Sequence, residues 1–235
     1  MAKNRGKHTN DDKIFSPKWQ PIFKEAIKDL SYLLSRDYGL KSSTQLVGNR
    51  YRLNARQQKV LMRMAASQQA IDNRQLKSIA PTLLKNETIL IDGFNILILL
   101  ESALSDAYIF NCQDDTYRDV SSVHGSYKRV IQTEKAIILV GNVLKALEVE
   151  KVIWYFDAPV SNSGRLKTML YELSTTHDFK WEIHLVNNPD VVLAKSENII
   201  VSSDAWILDE CQRWFNLGKL LIETHLDIEN VIYSV

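Results

Sequence analysis

A chain of 235 residues, 45% hydrophobic and 24% charged, has the make-up of an ordinary globular protein. That excludes a disordered or fibrous chain and leaves room for one large domain or two small ones. Its two cysteines, Cys112 and Cys211, stand in no C-x-x-C or other ligand-like spacing, so neither a disulfide framework nor a zinc site is expected. The net charge of +1 conceals an asymmetry: Lys and Arg outnumber Asp and Glu by 17 to 7 up to Leu90 and are outnumbered 12 to 21 from Ile91 onward. A basic front half suits a polyanion such as nucleic acid, or is only a solvated lysine-rich surface.

Residues 1–16 read as a disordered basic tail. Their opening, "MAKNRGKHTNDDK", has no apolar h-region, and no apolar run approaches a membrane span, so a cytoplasmic protein with no membrane partner is expected. From Pro17, the residues Trp19, Ile22, Phe23, Ala26, Ile27, Leu30, Leu33 and Leu34 recur at three- and four-residue steps, one apolar stripe on a helix that Gly39 ends. A short helix near 42–46 and a stronger one, capped by Asn54 and carrying Val60, Leu61, Met64 and Ala65, complete a small all-α domain over 17–75. Arg50, Arg52 and Arg56 around Tyr51 can contact phosphates beside a stacked base, or pair with carboxylates of the same chain. The segment from Gly48 to Asn54 is too long for a strict helix-turn-helix. Residues 69–86 read as a linker or a short helix ending near Pro81.

After residue 87, strand and helix patterns alternate. Strands are predicted over 88–92, 151–157, 180–186 and 198–202, with helices over about 94–105, 127–148 and 163–177 and from Asp204. "RWFNL" reads as a short strand and "GKLLIETHL" as a last helix. This alternation predicts an α/β domain over 87–235, a parallel sheet with helices on both faces. The polar segment 106–125 is read as a loop that covers the core or blocks the acidic edge. The helix over 127–148 is apolar nearly all round, so it is expected to be buried or to pack against a second copy in a homodimer.

Four carboxylates fall where such sheets bind ligands, beyond the carboxyl ends of the strands. Asp92 ends "TILID", Asp157 ends "VIWYFD", Asp190 follows "WEIHLVNNP" and Asp204 follows "NIIVSS". Asp157, Asp190 and Asp204 each have a bland reading as a cap or turn residue, whereas Asp92, in a strand-terminal Asp-Gly-x-Asn between apolar runs, has no evident packing role. Together they repel one another unless a cation neutralises them, and oxygen ligands select Mg²⁺ or Mn²⁺. Such ions serve phosphoryl chemistry by orienting a water and lowering its pKa. With no P-loop, no G-x-G-x-x-G and no G-x-S-x-G, neither a nucleotide cradle nor a serine hydrolase is expected.

The motifs "ILIDGFNIL", "VIWYFDAP", "NNPDVVLA" and "IIVSSDAWILDE", in that order, resemble the metal-binding acids of the PIN/NYN-like nuclease superfamily over about residues 87–225. The whole chain also resembles a mainly archaeal family that joins a short helical domain bearing "VGNRYRL" to a PIN-like domain. The resemblance implies a PIN-like three-layer fold and a metal-dependent nuclease. Asp92, Asp157, Asp190 and Asp204 would be its catalytic metal ligands, directly or through water, with Mg²⁺ or Mn²⁺ as cofactor. The expected substrate is nucleic acid, RNA before DNA. Asn95, Asp119, His124 and Ser203 would orient water or substrate, and Arg50, Arg52, Arg56, Arg118 and Lys128 would grip the strand. Two other readings stand beside this one: a catalytically inactive PIN-like protein that binds RNA or another partner, and a phosphatase on a small phosphorylated substrate. Phe94 counts against an aspartyl-phosphate enzyme, which would carry D-x-D after the first strand.

Overall fold

Apolar residues three and four apart build the front of the chain. In the computed structural model, which describes residues 5–121 and 125–234, a short α1 (Asp11–Ile14) leads into α2 (Gln20–Leu34), α3 (Leu40–Arg50), α4 (Ala55–Met64) and α5 (Gln68–Lys77). α2 buries Phe23, Ala26, Ile27 and Leu30, the stripe read from the sequence. α4 opens on a capping box: Asn54 accepts from the Gln57 backbone N–H, and the Gln57 side chain accepts from that of Asn54. α3 is longer than the spacing predicts, and Arg52 turns the chain at a positive φ of 54°. Residues 68–77 form a full helix with Ser67 as its cap. Residues 5–16, read as a tail, instead pack down. Asp11 is buried and takes both guanidinium N–H groups of Arg56, at 2.6 and 2.8 Å, and Phe15 sinks into the core. Arg5 pairs with Glu101, which is fully buried in the back half.

The back half alternates as expected. Its elements are β1 (Thr88–Asp92), α6 (Gly93–Ala103), β2 (Ile109–Asn111), β3 (Tyr117–Arg118), α7 (Thr133–Ala146), β4 (Lys151–Asp157), α8 (Ser163–His177), β5 (Trp181–Val186), α9 (Pro189–Ala194), β6 (Ile199–Val201), α10 (Ala205–Glu210), α11 (Leu217–His225) and β7 (Val231–Tyr233). Strands β5, β4, β1 and β6, in that order, make a four-stranded parallel sheet. Ile89, Ile91, Trp154 and Phe156 pack with α6, α7 and α8 in the main core. Leu90 and Ile200 pack with Leu193, Ile207 and Leu208 of α9 and α10 in another. Both faces are therefore covered, as a parallel sheet requires, and the fold is α/β. α7 is shorter than predicted, and its apolar faces are covered by α6, α8 and α11 of the same chain. "RWFNL" is no named strand; Trp214 makes single bridges to Ile200 and Ser78.

A second sheet was not legible in the sequence. β2 and β3 pair antiparallel, and β7 lies parallel to β2 on its other side. The segment read as a polar loop thus carries two strands. Its Phe110, Cys112 and Val120, with Ile232 of β7, close the core of the helical module around Phe15, Phe23, Val60 and Leu61. Phe15 and Phe110 meet edge-on with ring centroids 5.1 Å apart. The expected all-α domain does not finish its own core; chain from beyond residue 106 finishes it. Among the described residues, no helix is long and apolar enough to cross a membrane.

Ion pairs reinforce the same joint. Asp114, in the β2–β3 turn, is held by Arg74 of α5 at 2.5 Å and by Arg118 of β3 at 2.6 Å. Arg74 also forks onto Asp209 of α10 at 2.7 and 2.8 Å. Burial pushes the Asp114 carboxyl up, but Arg118 and Arg74 more than offset it and leave it at about 2. Asp114→Ala removes the carboxylate shared by two buried guanidiniums and leaves Arg118 with carbonyl partners alone, and a loss of about 3 kcal/mol in chemical denaturation is expected. A lowered carboxyl contributes stability above its unfolded pKa that is lost as pH falls through the folded one, so the gap between wild type and variant should shrink as pH falls from about 4 toward 2.

Candidate active site

β1 ends on Asp92 because the next turn must begin α6 against the sheet. Asp92 accepts from the Asn95 backbone N–H at 3.4 Å, capping α6, and from the Ser202 hydroxyl at 2.8 Å. Gly93 leaves room for Phe156 of β4; a Cβ there would run into the ring. Asn95 extends its amide oxygen to the Ser203 N–H and hydroxyl, both at 2.9 Å. The β1–α6 and β6–α10 turns are thereby tied together. This is the sheet's switch point: from β1 the chain crosses to β4 on one side, while β6 returns on the other.

All four predicted acids gather on this edge. Register pairs Asp92 with Tyr155, two residues before Asp157, so the pleat puts Asp92 and Asp157 on one face of the sheet, the face covered by α9 and α10. Asp190 lies in the first turn of α9. Asp204 caps α10, accepting from Trp206 and Ile207 N–H groups at 2.9 and 3.2 Å through one oxygen. Asp92 is only 9% exposed. Burial pushes its carboxyl up, the Ser202 hydrogen bond partly offsets this, and Asp190 and Asp204 push it further, to about 7. Asp190 is pushed up by burial and by Asp204 and Asp157.

A cleft of about 870 Å³ opens over this edge. Asn95, Asp190, Ser203 and Asp204 line one side; Tyr38, Leu40, Met62 and Arg63 of the helical module line the other. Asp119 also lines it, buried, with one carboxylate oxygen that has no partner; burial pushes its pKa up. Arg63 donates to the Asp119 backbone carbonyl.

The other candidates fare differently. Asn95 and Ser203 bond each other and set the spacing of two turns, so neither is free to orient water through those atoms. Arg118 reaches the cleft, but its guanidinium is occupied by Asp114, the Arg63 carbonyl (2.6 Å) and the Ser203 carbonyl (2.7 Å). It is a strut beneath the acidic edge, not a phosphate hook. Arg56 is occupied by Asp11. Arg50, at the end of α3, and Arg52, in the turn before α4, are exposed and away from the cleft, with Arg50 3.4 Å from Asp29. Lys128 is exposed beside a smaller cavity lined by Tyr127 and Arg165. His124 lies outside the described residues. Sequence reasoning missed Tyr38, Met62 and Arg63. Arg63 had a signal, since Arg56, Lys59 and Arg63 stand at i, i+3 and i+7 on α4.

Among the described residues, no three Asp, Glu, His or Cys side chains converge as a closed metal centre would. The donors are nonetheless all oxygen, and Asp190 and Asp204 line the cleft with Asp92 buried behind them. That suits a hard dication that keeps most of its water and takes one or two carboxylates.

Family profiles divide the chain where its halves meet. The domain of unknown function DUF5616 matches residues 81–220, and the protein of unknown function DUF434 matches residues 22–77. An uncharacterized protein of Methanocaldococcus jannaschii is 34% identical over 187 residues, 79% of this chain and 88% of its own length. No solved structure matches.

Asp92 also sets a pH dependence. A carboxyl raised from 3.8 to about 7 favours the protonated fold, so its stabilising effect is complete below 3.8 and lost as pH rises through 7. Without metal, Asp92→Asn should melt above wild type at about pH 8 and lose that advantage by about pH 4, read by thermal denaturation across the range.

Proposed function

This chain belongs to the DUF5616 domain family, and we propose that it is a PIN-like, metal-dependent nuclease of the cytoplasm that hydrolyses phosphodiester bonds of RNA. One observation carries the reading: four carboxylates gather at the sheet's switch point, Asp190 repelled by its neighbours Asp204 and Asp157 and Asp92 by Asp190 and Asp204, and Asp190 and Asp204 line a cleft whose far wall comes from the front half of the chain. The exposed apolar residues Tyr38, Leu40 and Met62 on its second wall favour a nucleic-acid strand over a small phosphorylated substrate.

Asp92, Asp190 and Asp204 would hold Mg²⁺ or Mn²⁺, with Asp157 acting through water. The ion, when bound, offsets charge on the phosphate and lowers the pKa of a water. Asp204 spends one oxygen on its helix cap and turns the other to this task. Asp119, in the cleft wall, accepts the water's proton as water oxygen bonds to phosphorus and the P–O3′ bond breaks, and the departing 3′ oxygen takes a proton from solvent. Arg63 adds positive charge at the scissile phosphate. Tyr38, Leu40 and Met62, all exposed, offer apolar surface to a base. Asn95 and Ser203 are positioning residues that hold the two acid-bearing turns together. A second reading, an RNA-binding protein without activity, is favoured by the lack of three convergent acids among the described residues.

End-labelled single-stranded RNA incubated with Mn²⁺, Mg²⁺ or EDTA tests the proposal. Cleavage should require the metal and fall at least about 100-fold in Asp92→Asn and in Asp204→Asn, the scale of losing several kcal/mol of charge stabilisation. Intact RNA with either ion, still bound by protein, would hand the protein to the second reading.

A further inference from the structure

The basic excess of the front half is not in the acid-lined cleft. There, Arg74 and Arg118 are consumed by Asp114 and Asp209, while Asp37, Asp119, Asp190 and Asp204 also line the walls. A second groove, of about 460 Å³, has the opposite character. It lies between α1, the turn Pro17–Trp19 and the start of α4. Lys13, Lys18, Arg52, Arg56 and Trp19 line it, and no Asp or Glu is among the described residues that do so. Asp11 lies buried beneath and is spent on Arg56. Lys13, Lys18 and Arg52 are exposed, and none of the three has a carboxylate within ion-pair distance among the described residues.

We propose that this groove binds single-stranded RNA, with Lys13, Lys18 and Arg52 on consecutive phosphates and one base stacked on Trp19. Three unpaired cations around a partly buried indole, braced on the helical module's core, are what an unpaired strand needs: charge along its backbone and a flat apolar face for a base. A folded acidic protein would use the charge and leave the indole idle. A duplex would hide its base faces from the ring.

The groove also has a direction. α4 starts at the groove and ends at the cleft, where Met62 and Arg63 stand. From Asn54 to Met62 the helix advances about 12 Å, at 1.5 Å per residue. Arg56, Lys59 and Arg63 mark this path on one face of the helix, and Arg56 and Arg63 both lower the Lys59 pKa, after burial, as near neighbours do. The groove thus anchors a strand a few nucleotides from the acidic edge. Only that last step rests on the nuclease reading; the binding does not.

The test is fluorescence anisotropy with a labelled single-stranded RNA oligonucleotide in EDTA, where no metal-dependent cleavage occurs, over a salt series. The triple variant Lys13→Gln/Lys18→Gln/Arg52→Gln should weaken binding at least about tenfold and reduce the salt slope by about two, the release of three counterions from a single strand. Trp19→Ala should cost about tenfold and Trp19→Phe should restore most of it, since a phenyl face still stacks. Lys167→Gln, on exposed α8, should change neither affinity nor slope. Circular dichroism and a melting curve check that each variant is folded. Wild-type affinity in the folded triple variant, or duplex RNA or poly-glutamate binding as tightly as the single strand, would overturn the proposal. RNA bound through these residues but never cut in Mn²⁺ would leave the groove standing and remove the nuclease reading alone.

Discussion

Asp114 is taken wholly out of water between two guanidiniums, and the joints of the molecule run through that cluster. Arg74 brings α5, and with it the helical module. Arg118 brings the β2–β3 hairpin and, through the Ser203 carbonyl, the turn that carries Asp204. Asp209 ties in α10. A buried charge survives only when paired and hydrogen-bonded, and the cluster meets that condition by drawing its partners from α4, α5, β3, α10 and the turn before α10. Charge pairing, together with the apolar core the two halves share, thus holds the two walls of the cleft in place.

The acidic edge is arranged in the opposite way. Asp114 is neutralised from within the protein; Asp92, Asp190 and Asp204 are not. Their surroundings raise the pKa of Asp92 and of Asp190 through burial and mutual repulsion, and no described cation of the chain is directed at Asp92 to relieve it. Chain-derived positive charge is spent a few residues away, under the floor of the site. Such a contrast between a satisfied and an unsatisfied carboxylate cluster is what the proposed metal site rests on.

The two family profiles meet near residue 80, yet the fold crosses that boundary. Ile232, Phe110 and Val120 from the back half lie in the same core as Phe23 and Leu61 from the front. The pair of segments thus folds as a unit even though each has its own sequence signature. That suits a cleft built from both, because its two walls then keep a fixed spacing.

The sequence by itself determined the alternation of the back half, the stripe of α2, the Asn54 cap and the positions of Asp92, Asp157, Asp190 and Asp204. These are local or periodic features: apolar spacing fixes helix faces, and in a parallel sheet every strand delivers its last residue to one edge. Only tertiary structure decided which charges were used up. Arg118 and Arg56 look in the sequence like Arg52, free to meet phosphate; the first two are spent on Asp114 and Asp11, partners 4 and 45 residues away, and Arg52 is not. The second sheet escaped notice because strands of two and three residues carry too little alternation to register, and β7 finds its neighbour β2 more than a hundred residues earlier. Pairing between distant residues depends on which faces the core brings together, and no local pattern encodes that.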